Sequence, residues 1–198
     1  ALSQDTIVHR IVRPAVRAIA PTGVRPNHLT TLRLITGLAA AAAFAEGSRT
    51  WLVLGGAIFL LSFLLDRADG ELARQTGQSS RAGHVYDLIS DCTSSVAAFI
   101  GLGIGLVPAL GWAAPLLGVL AGTGIGALFW QLNVLRLAKV RGHTLFGGRI
   151  TVDPDDAMVF VPLLIWLGAA LPMLVAAAAI TPLAALWIGW SGRQARGR

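Results

Sequence analysis

Four aspartates at fixed intervals, set in an otherwise apolar stretch, are the residues of this chain best suited to do chemistry. The segment reads Asp66-Arg-Ala-Asp69-Gly70-Glu-Leu-Ala73-Arg74, then eight residues, then Gly83-His-Val-Tyr-Asp87-Leu-Ile-Ser-Asp91. Apolar runs flank it, Trp51 to Leu65 before and Val96 to Val107 after. Carboxylates at membrane depth are costly and persist mainly where a metal, a substrate or a cation compensates them. Intervals of three and four put each pair on one helix face. Two such helix ends brought together make an oxygen-rich site suited to Mg²⁺ or Mn²⁺.

The elements that must carry these residues are membrane helices. Hydrophobic residues make up 55% of the 198, charged residues only 13%, and the mean hydropathy is +0.67. A soluble domain carries about 25% charge, so that class is excluded. The single cysteine, Cys92, rules out an intrachain disulfide framework and a Cys/His zinc pattern, and reads as a small buried helix residue. The net charge of +6 fits cytoplasm-facing segments of an apolar protein better than a nucleic-acid partner. The first twenty residues lack the continuous apolar run of a secretory leader, so none is expected there.

Six apolar spans are expected: His28 to Phe44 with Asn27 as its N-cap, Trp51 to Arg74, Tyr86 to Val107, Trp112 to about Leu137, Asp156 to Leu171, and Met173 to Trp190. With both termini cytoplasmic, fifteen of the sixteen Lys/Arg residues fall inside and only Arg49 outside. At about 1.5 Å per residue, Asp66 and Asp69 lie near the cytoplasmic end of the second span, level with the aspartates that open the third. A cytosolic nucleotide can enter at that level while a lipid arrives sideways. Residues 1–24 alternate Ile7, Val8, Ile11, Val12, Val16 and Ile19 with His9, Arg10, Arg13 and Arg17, the pattern of an amphipathic helix on the inner leaflet. The expected division is therefore 1–24 as juxtamembrane helix and 25–198 as an all-α, six-helix transmembrane catalytic domain. Gly118, Gly122 and Gly126 form a small-residue stripe read as helix packing.

Written as D-x2-D-G-x2-A-R-x8-G-x3-D-x3-D, the segment has all eight fixed identities of a known signature. It resembles that of the CDP-alcohol phosphotransferases (CDP-alcohol phosphatidyltransferases), integral membrane enzymes of phospholipid head-group synthesis. The six-span layout and amphipathic first helix are similar to that family as well. The resemblance implies a pair of divalent cations, Mg²⁺ or Mn²⁺, held chiefly by Asp66, Asp69 and Asp87. Asp91, one turn deeper, would be the general base and could share a metal. Nucleotide contacts would come from Asp66, Gly70, Ala73, Arg74, Ser80, Gly83 and Asp87, with the small residues letting backbone approach the ligand. A homodimer in a bacterial inner membrane, with its site facing the cytoplasm, is also implied.

Two donors remain open at this level. CDP-diacylglycerol could give a phosphatidyl group to a small polar alcohol or its phosphate, or a CDP-linked polar alcohol could give its phospho-head-group to a lipid or soluble alcohol. CMP leaves in both. Arg136, Lys139, Arg141 and Arg149 are either ordinary positive-inside residues or lining for an anionic acceptor. Asp153, Asp155 and Asp156 read first as a charge cluster at a helix N-terminus. A cation transporter is the alternative of a different class. Transport sites usually lie near mid-bilayer, whereas these aspartates sit at one edge.

Overall fold

The computed structural model describes residues 7–135, 143–145, 150–152 and 158–196. In chain order it contains α1 (Ile7–Ile19), α2 (Pro26–Glu46), α3 (Arg49–Thr76), α4 (Arg81–Gly105), α5 (Val107–Leu110), α6 (Ala113–Phe129), α7 (Phe160–Trp166) and α8 (Ala170–Arg196). Among the described residues, α2, α3, α4, α8 and α6 with its π-helical extension to Val134 are long and apolar enough to cross a membrane, five in all. The protein is an α-helical integral membrane protein. Two three-residue strands, β1 (His143–Leu145) and β2 (Ile150–Val152), pair antiparallel with Leu145 opposite Ile150. Sequence patterning gave no strand here, although β-branched Thr144, Ile150, Thr151 and Val152 favour one.

Several boundaries differ from expectation: α4 begins at Arg81 rather than Tyr86, and α8 runs Ala170–Arg196 rather than Met173 to Trp190. Helix α2 starts at Pro26 rather than after Asn27, because proline is preset for the first helical position and its missing N–H costs nothing there. Arg25 is the cap, and its N–H is accepted by His28 Nδ1 at 3.4 Å. The expected fifth span corresponds to α7, only seven residues long. It stops at Gly168, which adopts the left-handed conformation (φ 81°). The Arg49 guanidinium donates to the carbonyls of Ile165 (2.7 Å) and Trp166 (2.5 Å) at that helix end, adding to the bond Ile165 O already accepts from Gly168 N.

Helix α2 packs against both α3 and α4, α4 against α6, and α6 against α8, while α1 and α7 both lie against α3. The main core gathers Phe44, Phe59, Leu102, Ile125, Ile165 and Leu174 from six helices. Backbones approach closely where side chains are small. A Cβ on Gly37 would sit 2.6 Å from Ser94 Cβ, so only glycine lets α2 and α4 close there. Cβ atoms on Gly118 and Gly122 would lie 2.7 Å from Phe99 O and 3.1 Å from Val96 O, so that stripe does serve helix packing, against α4. Large apolar side chains such as Leu116, Leu186 and Trp187 point outward, as lipid-facing surfaces require. Helix α1 is amphipathic as expected: Val12 and Val16 are buried against Leu29, Ala68 and Leu72, while Ile11 and Arg17 face outward.

Candidate active site

The 28 residues of α3 extend about 42 Å, more than the ~30 Å hydrocarbon core. The segment Asp66–Arg74 therefore occupies the C-terminal end of that helix. Gly77, left-handed at φ 66°, closes α3 by donating its N–H to Ala73 O. Ser80 opens α4 three residues later, its Oγ accepting from Gly83 N at 3.0 Å. This tight reversal sets the end of α3 beside the start of α4. It brings Asp66 and Asp69 to Asp87, with one carboxylate oxygen from each within 4.8 Å of the others. Three all-oxygen donors at that separation fit a hard divalent cation.

Helix α2 supplies what the aspartates need in order to coexist. Arg33, 3% exposed, lies among them. Its Nη1 is 3.1 Å from Asp66 Oδ1 and 3.1 Å from Asp87 Oδ1, and its Nη2 is 2.5 Å from Asp91 Oδ1. Arg33 thus pairs with Asp91 as well as with two members of the three-carboxylate group. One turn earlier Thr30, also buried, donates its hydroxyl to Asp69 Oδ2 at 2.7 Å. Ser62 of α3 donates to the Arg33 carbonyl at 2.9 Å and fixes the backbone there. Breaking a buried ion pair by removing one partner typically costs 3–5 kcal/mol, so these contacts are integral to the helix docking.

A cavity of about 490 Å³ opens beside the carboxylates. All seven residues expected to touch nucleotide line it: Asp66, Gly70, Ala73, Arg74, Ser80, Gly83 and Asp87. The two motif glycines do different work. A Cβ on Gly70 would meet nothing but Arg74 Nη1 at 3.7 Å, so its missing side chain widens the cavity. A Cβ on Gly83 would press on Ser80 Oγ (3.0 Å) and Asn27 Oδ1 (3.1 Å), so part of its role is protein packing. His84 also lines the cavity. Glu71 does not; it is buried and accepts from Arg13 (3.2 Å), Arg74 (2.9 Å) and Gln75 (2.9 Å). It therefore ties α1 to a cavity-lining arginine.

Arg136, Lys139, Arg141 and Arg149, together with Asp153, Asp155 and Asp156, lie outside the described residues. Sequence reasoning passed over Asn27, Thr30 and Arg33 of α2, and Phe129 and Asn133 from the end of α6. Asn27, Thr30, Phe129 and Asn133 all line the cavity. A usable signal existed for the first three: polar residues three apart inside an apolar span share one helix face. Phe129 precedes and Asn133 lies within a π-helical segment, Trp130–Val134, which Leu135 closes by donating its N–H to Trp130 O at 3.0 Å. Such segments recur at functional sites.

Fold and site together define a membrane-embedded helical protein with a carboxylate-lined cavity at one end of its bundle. The family profile of CDP-alcohol phosphatidyltransferase matches residues 24–192, and the chain belongs to that family. Among curated relatives, an archaetidylinositol phosphate synthase of Pyrococcus horikoshii is 32% identical over 89 residues, 45% of this chain and 46% of the relative. A phosphatidylinositol phosphate synthase of Mycobacterium bovis is 31% identical over 93 residues, 47% of this chain and 42% of the relative. The match thus spans about half the length of these relatives. Among solved structures, phosphatidylinositol phosphate synthase of Mycobacterium tuberculosis with CDP-DAG bound superposes with a TM-score of 0.66 at 21% identity, covering 92% of this chain and 94% of that one. The same enzyme in complex with manganese and citrate gives 0.60 at 23% identity, covering 91% and 89%. These structures share the fold.

Proposed function

We propose that this protein transfers a phosphatidyl group from CDP-diacylglycerol to the hydroxyl of a small polar alcohol, with release of CMP. The observation that carries the reading is the coincidence of the three-carboxylate group with a cavity lined by every motif residue expected at a nucleotide. Asp66, Asp69 and Asp87 would hold the divalent cations, Mg²⁺ or Mn²⁺, with Asp91 at their edge. When bound, those ions neutralise charge that develops on the diphosphate and acidify an incoming hydroxyl. Arg74, at the cavity wall, contacts a phosphate of the donor. Gly70 and Ala73 leave room for the nucleoside, and Ser80 and Gly83 shape the opposite wall. Asp91 takes the proton of the acceptor hydroxyl as its oxygen bonds to the phosphorus distal to cytidine. The bond from that phosphorus to the bridging oxygen breaks, and CMP departs with both electrons.

The acceptor we assign is a phosphorylated polyol. The names of the relatives, synthases of phosphatidylinositol phosphate and archaetidylinositol phosphate, support it. So does the basic run Arg136, Lys139, Arg141 and Arg149, whose arginines suit an anionic acceptor. We further propose that residues 25–198 form the catalytic unit, that α1 rests on the inner leaflet, that the cavity faces the cytoplasm of a bacterial inner membrane, and that the protein works as a homodimer.

The test is release of CMP by purified protein given Mn²⁺ or Mg²⁺ and a panel of CDP-linked donors and acceptors. CDP-diacylglycerol with an inositol phosphate should give CMP, and Asp91→Asn should abolish release while the protein stays folded. Turnover only with a CDP-linked head-group would move the assignment to the other donor. No turnover with any member, or full activity in the variant, would refute it.

A further inference from the structure

Glu71 is a buried acid that the proposed chemistry leaves unused, and it lies behind the cavity wall rather than on it. Its two oxygens have separate tasks. Oε1 accepts from Arg13 Nε of α1 at 3.2 Å and from Gln75 Nε2 at 2.9 Å, while Oε2 accepts from Arg74 Nη2 at 2.9 Å. Intervals of three and four put Arg74 and Gln75 on the face of α3 that Glu71 occupies. Of these four residues only Arg74 reaches the cavity. Its side chain is 45% exposed, and an arginine that open samples many rotamers unless something holds it. With Nη2 held by Glu71, Nη1 lies along the bare face of Gly70, 3.7 Å from where a Cβ would stand. Gly70 lines the cavity too, so the contact with Glu71 sets the guanidinium along that wall.

We infer that Glu71 is a positioning residue for donor binding, joining α1, which adds no described residue to the cavity, to the arginine that meets the donor's phosphate. This rests on the reading of Arg74 as a phosphate contact. A guanidinium whose direction is set beforehand loses less freedom when the phosphate arrives, and so binds it more tightly. The anchor for that direction sits on another element. Val12 and Val16 seat α1 against Leu29, Ala68 and Leu72, and that docking brings Arg13 onto Glu71. Coupling between two such places is reciprocal, so a bound diphosphate steadies α1 as α1 steadies Arg74. A Glu71 that served packing alone would change stability and leave donor affinity untouched.

The test separates KM from kcat and adds a readout on the resting protein. In Glu71→Gln, KM for CDP-diacylglycerol in CMP release should rise about fivefold or more, with kcat within about twofold of wild type. Arg13→Gln, altered only on α1, should raise KM more than twofold, and Arg13→Lys, which keeps the charge, should restore it. In an Arg74→Gln background, Glu71→Gln should raise KM no further. A KM within twofold of wild type in Glu71→Gln or Arg13→Gln, or an equal rise with and without Arg74, overturns the inference. Should the Glu71 variant not fold, the wild-type protein decides through hydrogen exchange with Mn²⁺ and CDP, a soluble diphosphate. CDP should slow amide exchange in Ile7–Ile19 at least threefold, along with residues 78–84 at the cavity. Protection of 78–84 without α1 overturns the inference. Protection of neither refutes the nucleotide site, and the inference falls with it. Wild-type protein that releases no CMP from any donor refutes the proposed function instead, and the CDP exchange result still reports on the coupling.

Discussion

Replacing Thr30 by valine conserves volume and β-branching while deleting one hydroxyl. In the native protein that hydroxyl lies 2.7 Å from Asp69 Oδ2 and 3.2 Å from Pro26 O, so its one proton serves the nearer carboxylate. Both residues are buried, so no bulk water replaces the lost donor. A hydrogen bond to a charged group contributes about 1.5–3 kcal/mol, which at 1.4 kcal/mol per decade is roughly 10- to 140-fold. Partners that orient a metal-binding carboxylate show losses of about 10- to 100-fold when removed. The half-saturating Mn²⁺ concentration for CMP release should therefore rise at least tenfold in Thr30→Val, and Thr30→Ser should restore it. The assay is initial-rate CMP release at saturating donor across a Mn²⁺ series, with a melting curve to verify folding. A folded Thr30→Val with Mn²⁺ dependence within twofold of wild type would show that the hydroxyl does not organise Asp69, and the argument would fail.

Gly70→Ala should keep or slightly raise the melting temperature, since alanine favours helix over glycine by about 1 kcal/mol and the new Cβ meets no backbone. Its KM for the CDP-linked donor should rise severalfold, measured by CMP release. Gly37→Ala has the opposite signature: forcing a methyl against Ser94 overpacks the α2–α4 contact and should cost about 1–3 kcal/mol, read as a lower melting temperature in detergent. Glu71→Gln cannot neutralise Arg13 and Arg74. Losing about 1 kcal/mol of partly exposed pairing should speed amide hydrogen exchange in Ile7–Ile19 roughly fivefold, while α2 and α4 exchange at unchanged rates.

The chemistry-bearing part of this molecule was legible because its signal is spacing. Intervals of three and four fix which side chains share a helix face, and Asp66 to Asp91 converge as that predicts. Arg33 was legible only in part. Summed with the other cations it merges into the cytoplasmic excess; taken singly, an arginine inside the span His28 to Phe44 demands a buried partner. Its pairing with three aspartates from two other helices is a tertiary fact that one helix's pattern does not contain. The shortness of α7 had local signs, Pro162 and Gly168, outweighed by the apolar run around them. The π-helical turn after Phe129 had none, because the choice between i→i+4 and i→i+5 bonding is settled by packing, here with Gln131 close to Gly189.

The buried guanidinium also bears on how this protein is made. Small zinc domains stay unfolded until their ion arrives, because nothing else offsets the repulsion and disorder of the ligands. Here the balancing charge is encoded in α2, ahead of the aspartates in chain order, and emerges from the ribosome before any of the aspartates it will meet. The hairpin that follows is inserted against a helix already carrying its counter-charge, and so assembly need not await metal. With that charge in place, the packing of α2 against α3 and α4 does not depend on bound ions, and their capture can follow it.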